Sequence, residues 1–275
     1  MLFCFPQKHF QILIFIRKCN MANKTSTKLL IFTIVLAVLA TYFLYYSFSL
    51  SLDKHPTITT EGFTYWTTQQ ELDGLTPVQK RSAVESEFLS QLPNGYKFLD
   101  YYYYIKGCSL STHHRDVTSG QHYFKTAYPT YTAIIYEYDG DFLSITPNSH
   151  KQFPFIWSRS ANIRGEKNTC VLFNADMLHC GMINKVGHNR KVIQFKIVHE
   201  EDLDKLRELN NVRVEKDGKC NVSRPNELGL RFVSYHFAWF INSILTPLLQ
   251  KHKKDGIGRV LQSMVPVSFY NNLMQ

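Results

Sequence analysis

Hydrophobic and polar positions divide the chain into three textures. From Leu29 to Leu50 lie 22 residues without a formal charge, LLIFTIVLAVLATYFLYYSFSL. At 1.5 Å per residue such a helix spans about 30 Å, the depth of a bilayer core, and Tyr42, Tyr45 and Tyr46 gather near one end as interfacial aromatics do. A polar, Thr-rich stretch follows. Thr76-Pro77 then reads as a helix N-cap with proline at the first helical position, and Val84, Phe88 and Leu92 recur at four-residue spacing, which predicts an amphipathic helix. Pro93-Asn94-Gly95 ends it with a turn.

From Tyr96 the pattern shortens to β-branched and aromatic runs. Candidate strands are Tyr96–Ile105, Tyr131–Tyr138, Phe142–Thr146, Cys170–Phe173, His179–Ile183 and Lys191–Val198, with Asp139-Gly140 reading as a hairpin turn. Strands this short and numerous suggest a sandwich or jelly roll. The run Tyr101–Tyr104 reads as strand packing. Leu203, Leu206 and Leu209 restore a helical pattern over Glu200–Asn210, and Phe232–Leu249 is an apolar helix expected to pack on the domain. The expected fold is mainly β with flanking helices, preceded by one transmembrane helix. Its parts are a basic cytosolic N-terminus (1–28), an anchor (29–50), a stalk (51–75), a jelly-roll domain with supporting helices (76–210), and a C-terminal extension (211–275).

Charge sharpens this division. The 275 residues carry +9, but five basic side chains fall in residues 1–28 without an acid. Residues 251–259 hold a net +3, which leaves +1 for everything else. A nearly neutral centre argues against a nucleic-acid channel. The basic flank before the apolar run places the N-terminus in the cytosol and the domain in a lumen or outside the cell, as a type II signal-anchor protein. A shorter apolar stretch, Phe10–Ile16, cannot span, and Met21 is an alternative start. Beyond the anchor, Cys108, Cys170, Cys180 and Cys220 permit disulfides whose pairing stays open.

The chemistry concentrates in Ser111-Thr-His-His-Arg-Asp116. On a strand, residues two apart share a face, so His114 and Asp116 converge while His113 points away. Imidazole plus carboxylate supplies two ligands of a non-haem Fe(II) facial triad, and a third is needed. His179, after the apolar run Cys170–Phe173 and the turn Asn174–Met177, is the candidate. A return strand opening with Arg190 brings a guanidinium that can grip a carboxylate through two hydrogen bonds. Lys191 is the alternative clamp, since only one of the two neighbours can face inward.

With these residues in view, the region 96–200 resembles the Fe(II)/2-oxoglutarate-dependent dioxygenases, in their phytanoyl-CoA dioxygenase-like branch. The matching pieces are His114-x-Asp116, the turn Thr146-Pro-Asn-Ser-His-Lys151, the run Leu172–His179, and Arg190 eleven residues after that histidine. Where the family has Pro-Gly-Ser-His this chain has Pro147-Asn-Ser-His150, a mild departure because Asn tolerates the left-handed conformation. The resemblance implies a double-stranded β-helix holding Fe(II) through His114, Asp116 and His179. It also implies Arg190 on the distal carboxylate of 2-oxoglutarate, O2 as oxidant, and ascorbate as a candidate reductant. The implied reaction hydroxylates a C–H bond and releases succinate and CO2; its substrate, a small molecule, lipid or protein, stays open.

Other readings fit less well. His122, His150, His188 and His199 read as loop or core histidines, with His150 a hydrogen-bonding residue. Tyr123 and Tyr131 are candidates for contacting the cosubstrate, though strand packing explains them equally. Structural zinc would want closely spaced Cys/His pairs that the chain lacks. A membrane-tethered jelly-roll binding module without catalysis is the main alternative. The lumenal placement is testable at the sequon Asn221-Val-Ser223. In eukaryotic cells a glycan is expected there, removed by endoglycosidase and abolished by Asn221→Gln; protease access to the domain from the cytosol alone would overturn the topology.

Overall fold

The computed structural model describes residues 24–47, 50–52, 54–107, 113–116, 119–152, 158–182 and 190–218. Cys108, Cys220, Asn221, the Phe10–Ile16 run, Met21, the loop 183–189 and the apolar segment Phe232–Leu249 lie outside the described residues. The chain forms two units, Met1–Phe48 and Ser49–Gln275.

Among the described residues the first unit contributes one helix, α1 (Lys24–Ser47). Leu29, Leu30, Ile31, Phe32, Val35, Leu36, Val38 and Leu39 are exposed on it. Thr33 and Thr41 return their hydroxyl hydrogens to the carbonyls of Leu29 and Ala37, one turn back. Among the described residues no helix is long and apolar enough to cross a membrane. The expected transmembrane span from Leu29 to Leu50 is therefore not supported; what forms is the helix over Lys24–Ser47.

In the second unit, α2 (Pro77–Leu89) starts as expected, with Thr76 and Gln79 forming a reciprocal capping box. Among the described residues ten strands follow the alternating pattern: β1 (Phe63–Thr67), β2 (Tyr96–Phe98), β3 (Tyr101–Gly107), β4 (Tyr131–Tyr136), β5 (Gly140–Ile145), β6 (Ala161–Gly165), β7 (Thr169–Asn174), β8 (His179–Gly181), β9 (Lys191–His199) and β10 (Val212–Gly218). A short helix α3 (Gln121–Phe124) lies between β3 and β4. The larger sheet runs β1-β7-β4-β9-β3-β10, with β2 also on β9; the smaller runs β6-β5-β8. All pairings are antiparallel except β10 on β3. This is a jelly-roll-like architecture.

Both faces of the larger sheet are covered, which explains its near-continuous hydrophobic strands. Ile134 and Tyr136 of β4 and Val171 and Phe173 of β7 meet Phe142, Ile145 and Ile163 of the smaller sheet. The alternate residues, Ala133, Ile135, Cys170, Leu172, Ile193 and Phe195, pack on Val84 and Phe88 of α2. Lys80 on the same helix pairs with Glu137 at 2.8 Å, away from solvent.

Three expectations change. Asp139-Gly140 is not a hairpin: β4 and β5 belong to different sheets, so this turn is the corner where the chain crosses over, and Gly140 takes φ +130° there. Tyr96–Ile105 is two strands. Between them Leu99 leaves the ladder to join Tyr101, Val198, Leu206 and Leu209 in a small core, and the Asp100 amide donates to Asn210 Oδ1. The register against β9 slips by two residues across this break. Glu200–Leu209 forms as a 3-10 helix, in keeping with the three-residue spacing of its leucines. Within the stretch read as a stalk, Phe63–Thr67 is the edge strand β1, with Phe63 fully buried. Cys170 and Cys180 are both buried.

Phe88 joins α2 to the sheet, edge-on to both Trp66 and Phe98 at 4.8 and 5.9 Å. Phe88→Ala is expected to lower the unfolding free energy by about 3–5 kcal/mol in denaturant titration of this unit. A change under 1 kcal/mol would mean the helix is not part of the cooperative core.

Candidate metal centre

Residues 113–116 run beside β8 on the smaller sheet. His114 and His179 lie opposite each other and exchange both backbone hydrogen bonds, each 2.9 Å. That exchange puts the two imidazoles on one face with ring centroids 4.5 Å apart. Asp116, two residues on, shares this face, and its amide donates to Ala175 O at 2.9 Å. Asp116 Oδ1 lies 3.9 Å from His114 Nε2 and 3.7 Å from His179 Nε2. One donor atom from each residue falls within 4.8 Å of the others. Two imidazoles and one carboxylate are the donor set of a facial triad, which leaves positions open for exogenous ligands.

The surroundings prepare these donors. His179 Nδ1–H donates to Met177 O at 2.9 Å, which leaves the Nε2 lone pair facing Asp116. Burial, reinforced by the neighbouring His114, lowers the His179 pKa to about 4, so the ring is neutral at pH 7. Burial by itself would raise the Asp116 carboxyl, but the Lys196 ammonium, with His179 and His114, holds it well below the usual carboxylate range. The Phe173 ring packs 4.5 Å from that of His179.

Arg190 precedes β9 and is buried, whereas Lys191 is exposed. Positions 190, 192, 194 and 196 share the face of β9 that carries Lys196 to Asp116 and Val192 to the inter-sheet core. Arg190 Nη1 donates to Gly107 O at 3.4 Å, and among the described residues its buried Nε has no hydrogen-bond partner. An under-satisfied buried guanidinium calls for an anion.

Comparison with known proteins adds likenesses of low identity. No protein-family model and no curated protein matches the chain. Among solved structures it is similar to the non-haem alpha-ketoglutarate dependent epimerase SnoN from nogalamycin biosynthesis, at 11% identity and TM-score 0.36, over 52% of this chain and 80% of that one. It is also similar to HygX from Streptomyces hygroscopicus with nickel and 2-oxoglutarate bound, at 15% identity and TM-score 0.40, over 51% and 83%. A third is the carbocyclase SnoK, at 12% identity and TM-score 0.32, over 54% and 83%.

The remaining sequence candidates separate cleanly. His113 faces away from the triad, with Nε2 3.3 Å from Cys180 Sγ. His150 lies outside the donor cluster and abuts Gly62, where any Cβ would come within 2.3 Å of the imidazole. Asn148 adopts the left-handed conformation expected of it, with φ +59°. His199 stacks on Tyr128 at 3.7 Å, and Tyr131 packs toward α2, on the face opposite Lys196. The side chains of His122 and Tyr123, and all of His188, lie outside the described residues.

Two residues escaped the sequence reading. Arg115, 1% exposed, reaches the carbonyls of Ser149, Asp176 and Gln152 and so ties the segment bearing His114 and Asp116 to both neighbouring turns. Lys196, also 1% exposed, donates to Asp116 Oδ2 at 2.7 Å and to Thr132 Oγ1 at 2.9 Å. The available signal for Lys196 was phase: it shares alternation with Val192 and Val198, in a row that otherwise points inward.

The donor set should bind one divalent transition metal per chain. In Co(II) titrations of the full-length chain in detergent, His179→Ala is expected to weaken binding by more than the roughly 10- to 100-fold that losing an outer-shell partner costs. Wild-type affinity retained with His179 removed would exclude this centre.

Proposed function

We propose that the chain is an Fe(II)- and 2-oxoglutarate-dependent dioxygenase, most simply a hydroxylase of a C–H bond, tethered to a membrane with its domain lumenal or extracellular. The observation that carries the reading is the convergence of His114, Asp116 and His179 inside a jelly roll whose neighbouring strand offers a buried, under-satisfied Arg190. The donor chemistry fits iron: two imidazoles, one carboxylate and open positions. When bound, iron and 2-oxoglutarate supply the oxidising power, and the protein supplies placement and exclusion of water.

Each residue then has a task. His114 and His179 present ring nitrogens, the latter fixed in its tautomer by Met177 O. Asp116 gives the single anionic ligand. Arg190 is placed to pair with the distal carboxylate of 2-oxoglutarate, on the same inward row as Lys196. The apolar walls from Ile134, Tyr136, Val171 and Val192 keep bulk water from the space between the sheets. The turn at Pro147–His150, with Asn148 left-handed, supports placing the chain near the phytanoyl-CoA dioxygenase-like branch.

The tether rests on α1. A 24-residue helix that exposes Leu29, Ile31, Phe32, Val35 and Leu39, closes its threonine hydroxyls internally and follows a basic segment is suited to lipid rather than water. The substrate is a small molecule, lipid or protein reached at that surface.

Succinate formation from 2-oxoglutarate by the full-length protein in detergent, dependent on added Fe(II), is the expected result. Arg190→Ala should raise the KM for 2-oxoglutarate at least about tenfold, the order expected when a charge-assisted hydrogen bond is lost. A folded, iron-binding wild type that never decarboxylates 2-oxoglutarate, with or without candidate substrates, would leave a metal-binding module instead.

A further inference from the structure

The two oxygens of the Asp116 carboxylate have different surroundings. Oδ1 faces the histidines, 3.7 and 3.9 Å from their Nε2 atoms. Oδ2 is turned away and accepts from both Lys196 Nζ and Thr132 Oγ1, while the same ammonium donates to that hydroxyl at 2.9 Å. All three side chains are buried. The carboxylate is thus fixed at one oxygen and left free at the other.

A buried lysine–aspartate pair alone reads as structure, and such pairs contribute little net stability. Here its placement is more selective. Lysine and threonine come from β9 and β4, neighbouring strands of the larger sheet, and reach across to a residue beside the smaller one. They occupy only the oxygen that the imidazoles do not face. An Asp serving structure alone would have no need to turn Oδ1 toward two imidazoles.

We propose that Lys196, assisted by Thr132, is a positioning residue that makes Asp116 a one-oxygen ligand and cancels its charge. This rests on the metal-centre reading above. Two chemical consequences follow. A carboxylate held by one oxygen occupies one coordination position rather than two, so room remains for a chelating ligand. With the ligand set neutral overall, a bound divalent cation keeps both of its charges for attracting an anion such as a dicarboxylate. The arrangement trades tightness of metal binding for affinity toward the anion.

The test uses the full-length chain in detergent with Mn(II) as the probe, comparing wild type, Lys196→Met and Lys196→Gln. Affinity comes from free-Mn(II) titration, and the number of metal-bound waters from water-proton relaxation. Removing a repelling buried charge should tighten Mn(II) binding at least about tenfold in both variants. The methionine variant should also lose one bound water, because Oδ2 is released to ligate. The glutamine variant, whose amide still donates to Oδ2, should keep it. A merely structural lysine predicts the opposite sign: weaker binding, by about 10- to 100-fold, as the carboxylate loses its orientation. Unchanged or weakened affinity in the folded variants overturns the proposal. If the methionine variant does not fold, the glutamine variant decides by affinity alone. A folded wild type that binds no Mn(II) removes the metal centre itself, an outcome separate from any failure confined to the variants.

Discussion

One constraint organises this domain: a carboxylate must stay ionised in the interior of a β sandwich. Asp116 is 5% exposed, and an unpaired charge there would be several kcal/mol too costly to keep. The fold meets that cost by bringing an ammonium from β9, a hydroxyl from β4 and two imidazoles from the smaller sheet to the same few ångströms. Neither sheet could do so alone. The site is therefore also the place where the sheets are joined by polar contacts, while Phe142, Ile145, Val171 and Phe173 join them by apolar ones.

Much of the rest serves to hold the larger sheet still. Its strands are apolar on both faces, and α2 covers the face turned from the smaller sheet, so β4 and β9 cannot slide without exposing Ile135, Ile193 and Phe195. A one-residue slip of β9 would turn Lys196 toward the face packed on α2 and bring Ile197 to the face between the sheets. Register, set by packing, thus fixes which side chain meets Asp116. Arg115 does the same on the other sheet by fastening the ligand-bearing segment to the backbone of two turns.

How much of this the sequence discloses depends on how local the cause is. The Thr76 cap, Val84 and Phe88 on one helical face, and the left-handed Asn148 each follow from a few neighbouring residues, and all are found. The pairing of His114 with Asp116 is legible because two-residue alternation is local as well. Asp139-Gly140 misleads for the converse reason: its turn chemistry is real, but whether the next strand turns back or crosses over is decided by distant partners. Lys196 shows the same limit. A lysine in a strand reads as solvent-facing, and only Asp116, eighty positions away, explains why it is inside. Arg115 hides between two ligands because its partners are carbonyls, which leave no mark in side-chain identity.

The backbone exchange between His114 and His179 has a kinetic meaning too. It closes a loop of more than sixty residues through a contact remote in sequence, and the Asp116–Lys196 pair closes a still longer one. Contacts of this kind form slowly, since the entropy of closure must be met before the contact rewards it. During synthesis the first cannot form until residue 179 has emerged, nor the second until residue 196, long after His114. The convergence of His114, Asp116 and His179 therefore marks completion: a chain that has brought the three together has already joined its two sheets.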